Sequence, residues 1–198
     1  MAFVQRLFQR QGAGRPPRVR WTLEEVGATY DYVVMEQEEG HGPEHAKRHP
    51  LGRVPVLETE EGLLFESAAL CLHIADSYPE SHLIPPPGTH LRALVYQWAF
   101  FGMTELETAV LRLWTARRDD DVEALASAEA RMAKVAAALE EALNGGRYLI
   151  SDRFSVADII VGGVLESARK YGVFPDSAPL LVYLEGLDER PAKQRAYS

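Results

Sequence analysis

Up to about residue 78 the apolar positions come in short runs of mixed period, and beyond residue 89 they recur every three or four residues. In "VRWTLEEVG", Val19, Leu23 and Val26 fall on one face of a helix, and the "ATYDYVVM" that follows is β-branched and aromatic as a strand is. The Arg-rich first 20 residues run into that helix without a cleavage-like break, so they read as the start of the fold and not as a transit peptide. The order predicted there is strand, loop, helix, strand. After a polar segment, "EQEEGHGPEHAKRHP", the pair "VPVLE" and "GLLFE" flanks a turn from Thr59 to Gly62, and a helix is expected from about Ser67 to Tyr78. Residues 1–78 form one expected domain, α/β in character.

"PESHLIPPPG", residues 79–88, carries four prolines and a glycine, which stop helices and make a stiff linker. From 89 to 198 every periodic signal is helical. Leu91 to Trp114 is apolar nearly all round, as for a helix covered on several sides. Val122, Leu125, Met132, Val135, Leu139 and Leu143 mark the apolar stripe of a second helix that Asn144-Gly145 should stop. Ser155 and Asp158 read as a capping box, with Phe154 and Ile159 as its hydrophobic staple. That motif specifies folding and is assigned no chemistry.

Composition then narrows the partners. The 198 residues carry 21 Lys+Arg against 29 Asp+Glu, a net charge of -8 that repels nucleic-acid phosphates and anionic membranes. A small molecule or another protein is the expected partner. The one cysteine, Cys71, cannot form an internal disulfide and fits a reducing cytoplasm, and no apolar run is long enough to span a membrane. Cys71 sits one turn into a helix beside Leu70 and Ile74, which marks a small core residue. His41, His45 and His49 recur every four residues, but Gly40, Gly42, Pro43 and Pro50 break the segment. No metal site is expected; the segment reads as a polar helix.

Two local features ask for an explanation. Pro55 lies in a strand-like run although proline has no N–H for a ladder, so the backbone there is an edge, a bulge, or faces something other than a strand. Glu66 and Ser67 stand where a helix should begin, and Ser67 could serve simply as its N-cap.

Taken in order, "RVRWTLEEVG", "HPLGRVPVLE", "FESAAL" and "SVADI" make the chain resemble a cytosolic glutathione S-transferase of bacterial type over essentially its full length. The resemblance implies a thioredoxin-like N-terminal domain, an all-helical C-terminal domain and a homodimer. It also implies a cis Val54–Pro55 peptide whose Val54 N–H and C=O pair with the cysteinyl backbone of glutathione. Glu66 and Ser67 would then take the γ-glutamyl ammonium and carboxylate, and Arg53 the ligand backbone or its glycyl carboxylate. Glutathione would be co-substrate, and the histidine-bearing segment would lie beside its groove.

The departure from the family lies at the thiol. Relatives lower the thiol pKa of bound glutathione with a Tyr, Ser or Cys near the end of the first strand, but residues 1–20 contain none of these. The matching positions are Ala13, Gly14 and Arg15, and Pro16 and Pro17 offer no N–H. Main-chain N–H groups of Gly14 and Arg15 and the Arg15 guanidinium are the expected thiolate stabilisers. The resemblance implies transfer of glutathione to a small hydrophobic electrophile, held between the Ala13–Arg15 loop and the first long helix, with Phe100, Met103, Thr104, Glu107 and Trp114 as lining candidates. The alternative is a non-catalytic module of the same fold that binds glutathione or a protein. The Ser-Ser-Cys run of the maleyl-acid isomerases is absent.

Overall fold

A computed structural model describes residues 5–150 and 153–198. Its residues fall into two compact units, Met1–Ser81 together with Ala192–Ser198, and His82–Pro191.

The first unit is built on four strands, β1 (Gln5–Arg10), β2 (Tyr30–Met35), β3 (Val56–Thr59) and β4 (Gly62–Phe65), in the order β2-β1-β3-β4. β1 runs parallel to β2 across helix α1 (Pro16–Val26), and β3 is antiparallel to both β1 and β4. Pro16 and Pro17 open α1 where no N–H is needed, and Gly27 closes it at φ 68°, a conformation open to glycine at little cost. Trp21, Val19, Leu23, Leu70, Cys71 and Ile74 are fully buried, so α1 and α3 (Ser67–Ser77) supply the core on their side of the sheet. Burial pushes the Cys71 thiol up to about 11, which makes it an inert core group.

The polar segment before β3 forms a 3-10 turn, Glu39–His41, and the one-turn helix α2 (Pro43–Ala46). The sequence reading made this a polar helix. His45 and His49 are instead buried, because the breaks at Gly42 and Pro50 turn the chain inward there.

The last seven residues are a second difference. The sequence reading carried the helical domain to residue 198, whereas helix α9 (Pro191–Tyr197) brings Ala192–Ser198 into the first unit. Arg195 meets Glu24, and the Tyr197 ring stands edge-on to Trp21 with centroids 6.4 Å apart.

The second unit is helical: α4 (His90–Phe101), α5 (Glu107–Arg118), α6 (Val122–Leu143), α7 (Val156–Lys170) and α8 (Ala178–Asp188). α4 and α5 are one helical run interrupted by a π turn, Gly102–Leu106, which apolar periodicity did not reveal. Gly102 faces α7, and a Cβ there would stand 3.1 Å from the Val161 side chain. Of the expected α6 stripe, Met132, Val135, Leu139 and Leu143 are buried while Val122 is 80% exposed, because the first turn of the helix runs ahead of its packed face. Asn144 caps α6 at φ 44°. α7 is buried from Val156 through Leu165, and Asp158 closes the capping box by accepting from Ser155 N–H at 2.9 Å. The same carboxylate also accepts from Leu149 N–H and the Tyr183 hydroxyl, each at 3.0 Å.

Candidate functional site

The ends of β3 and β4 define a place where a main-chain pair and a side-chain hydroxyl have no hydrogen-bond partner of the ladder or side-chain kind among the described residues. Val56 pairs with Phe65, so the residues just before Val56 and just after Phe65 leave the ladder side by side. These are Val54-Pro55 on one chain and Glu66-Ser67 on the other. The Val54–Pro55 bond is cis. Val54 itself is buried in a cluster with Phe8, Met35 and Val56, against which Ala13 packs. Among the described residues, the Val54 N–H and C=O make no main-chain hydrogen bond.

Ser67 is not the N-cap. It is the first residue of α3, and the cap position is taken by Glu66 at φ 70°, ψ 107°, where no side-chain cap bond forms. A non-glycine residue held at positive φ is strained, and such strain persists where surrounding structure enforces it. Ser67 is 1% exposed, and its Oγ has no hydrogen-bond partner among the described residues. A buried hydroxyl left unpaired costs free energy unless something outside the chain satisfies it. It lies beside the free N–H groups and positive dipole end of α3. The pair therefore offers anion-binding donors from the helix start and an exposed carboxylate, Glu66, for a cation.

Two buried histidines underlie this edge. His45 Nε2 lies 2.9 Å from the Arg53 carbonyl, and His49 Nδ1 accepts the Leu51 N–H at 3.0 Å. The His49 ring packs on Phe65 with centroids 4.8 Å apart. His41 turns elsewhere, to Arg10 and the Gln37 carbonyl, so the three histidines do not converge on one point. Arg53 is exposed.

Comparison with known proteins shows the family. Residues 5–76 match the family model described as glutathione S-transferase, N-terminal domain, and residues 93–184 the corresponding C-terminal domain. A zeta-class glutathione S-transferase of Euphorbia esula is 31% identical over 189 residues, covering 90% of this chain and 83% of its own. The glutathione S-transferase GstA of Escherichia coli O157:H7 is 28% identical over 182 residues, covering 89% and 90%. Among solved structures, a sphingomonad glutathione S-transferase complexed with glutathione superposes with a TM-score of 0.80 at 28% identity, over 96% of both chains. The chain belongs to the glutathione S-transferase family.

Membership sharpens what is unusual at the end of β1. Arg10 C=O accepts the Ala13 N–H at 3.1 Å in a tight turn, and Arg15 precedes α1 with no side-chain cap. No hydroxyl or thiol side chain stands between Gln5 and Arg20. The remaining expected residues lie in the helical unit. Phe100 is 65% exposed, Thr104 is exposed with its hydroxyl donating to the Phe100 carbonyl at 3.0 Å, Met103 is half-buried and Glu107 is buried. Trp114 stacks on Tyr171 at 5.1 Å and carries the Arg118 guanidinium over its ring at 4.9 Å. The histidine-bearing segment was expected beside the groove, but its periodic spacing does not tell that His45 and His49 are buried or that their rings meet the Arg53 carbonyl and the Leu51 N–H.

Proposed function

We propose that this protein binds glutathione at the β3–β4 edge and transfers its thiolate to a small hydrophobic electrophile in the cytoplasm. The observation that carries the reading is the buried, unpartnered Ser67 Oγ at the start of α3 beside the strained Glu66. Ser67 and the α3 N–H groups would take the γ-glutamyl carboxylate and Glu66 its ammonium. The Val54 N–H and C=O would pair with the cysteinyl backbone, and Arg53 with the glycyl end. Calorimetric titration tests this. Glu66→Ala with Ser67→Ala should lose at least about a hundredfold in affinity while the chain stays folded, since each charge-assisted bond contributes roughly 1.5 to 3 kcal/mol. Unchanged affinity rejects the assignment.

Thiolate stabilisation would come from the Gly14 and Arg15 N–H groups and the Arg15 guanidinium, the first donors ahead of two prolines. In the helical unit, Phe100, Met103 and Thr104 at the π turn offer the electrophile an apolar surface with one hydroxyl. The alternative is a non-catalytic binding module, favoured by the absence of any hydroxyl or thiol in residues 5–20.

A homodimer fits the exposed apolar surface. Leu63, Leu64 and Phe65 on the edge strand β4 are 37% to 41% exposed, although neighbouring residues of a strand point to opposite faces. Both faces of that edge are therefore partly exposed, a state that association with a second copy would relieve.

A further inference from the structure

His45 makes one hydrogen bond at the expense of another. Its ring is fully buried. Nε2 approaches the Arg53 carbonyl at 2.9 Å, and because a carbonyl only accepts, that nitrogen carries the proton. Nδ1 is then a bare acceptor, and it is buried with no hydrogen-bond partner among the described residues. An unsatisfied buried acceptor is a net cost to folding, which an apolar ring of similar size would avoid. Stability therefore does not explain a histidine at position 45. Location does: the bonded carbonyl belongs to the residue immediately before Val54.

We propose that His45 is a positioning residue for glutathione, holding the chain at Arg53 so that the Val54 N–H and C=O stand ready for the cysteinyl backbone. One turn further on, His49 supports the same bend by accepting the Leu51 N–H and by packing on Phe65, the neighbour of Glu66. The segment from His45 to His49 thus ties together the two chain ends that meet the ligand. Preorganisation of this kind raises affinity by removing the ordering cost at binding. The inference rests on the glutathione reading above.

The test is glutathione titration by calorimetry on the parent, His45→Phe, His45→Gln and Ser67→Ala, with urea unfolding of each. In His45→Phe the bond to Arg53 is lost and the stranded acceptor with it. Affinity should fall about tenfold while the urea midpoint stays level or rises. In His45→Gln the side-chain amide can still donate, so affinity should return to within about twofold of the parent. A purely structural His45 would lower the urea midpoint and affinity together in His45→Phe, and that result overturns the proposal. Parent-like affinity in His45→Phe, with Ser67→Ala clearly weakened, overturns the positioning role alone. Failure of the parent itself to bind glutathione removes the site and this role with it. Should His45→Phe not fold, the imidazole nitrogen-15 spectrum of the parent decides: a proton on Nε2 is expected, and a proton on Nδ1 excludes donation to Arg53.

Discussion

Arg195 Nε stands 2.6 Å from Glu24 Oε2, joining the end of the chain to the helix that follows its first strand. Glu24 also accepts the Tyr30 hydroxyl at 2.6 Å, so α1, the strand β2 that follows it and the distant α9 share one carboxylate. Burial alone would push the Glu24 carboxyl up, but the Arg195 and Tyr30 bonds outweigh it and hold the pKa below the ordinary value. A carboxyl with a depressed folded-state pKa stabilises the fold above its unfolded value, about 4.3, and loses that contribution as pH falls through the folded value. Urea unfolding of Arg195→Ala should show a loss of only about 0.5 to 1 kcal/mol near neutrality, as for a partly exposed pair. The difference from the parent should shrink once pH drops well below 4.

His49 gives a second pH dependence, near neutrality. Burial lowers its pKa, and the Glu66 carboxylate opposes this only in part, with His45 and Arg53 adding to the depression. Its folded-state pKa thus lies below the unfolded value near 6.5, so the stability it contributes is complete above that value and declines as pH falls beneath it. Protonation also converts Nδ1 from acceptor to donor and breaks the Leu51 bond. Between pH of about 7 and about 5 the urea midpoint of the parent should fall more steeply than that of His49→Asn, whose amide oxygen accepts without titrating. Equal slopes would remove His49 as the source.

Asp158 holds several buried donors of the helical unit. Asp158→Ala strands the buried Leu149 N–H, Ser155 N–H and Tyr183 hydroxyl at once. A loss of about 3 kcal/mol or more is expected in chemical denaturation. Asp158→Asn keeps the size and one acceptor and should lose less.

Arg15 separates the transferase from the binding module. A free thiol titrates near 8.5, and the thiolate absorbance of the glutathione complex should show a midpoint below that. Arg15→Ala should raise the midpoint by about half a unit, or ~0.7 kcal/mol, and leave glutathione affinity within about twofold. A midpoint at the free-thiol value, indifferent to Arg15, favours the module.

The homodimer is checked by light scattering at micromolar concentration, where twice the 22.1 kDa chain mass is expected. Leu64→Asp, which places a charge on the partly exposed β4 edge, should shift the protein toward the monomer.

The arrangement of the elements was largely legible in the sequence. Short runs of mixed period gave way to helical stripes at the proline-rich segment, and the chain's two units divide nearby, after Ser81. The capping box at Ser155 and the stop at Asn144 were equally readable, since caps depend on residues a few positions apart. Pro55 stood out because it breaks a local rule about ladders, whereas Glu66-Ser67 reads locally as an ordinary helix start and was singled out by its resemblance to the family motif.

What only the tertiary structure decided depends on long-range contact. The unpartnered Ser67 Oγ, the positive φ of Glu66 and the course of the Arg53 carbonyl are set by how β3, β4 and α2 come together. The π turn at Gly102 reflects close approach to Val161 on α7, 59 positions away in a chain whose local periodicity runs straight through it. The return of Ala192–Ser198 to the first unit has no local signal either, because it is made by Arg195, Tyr197 and Lys193 meeting Glu24 and Trp21. A sequence records which side chains can pair; which of them do is set by the packing that brings distant segments within hydrogen-bond reach.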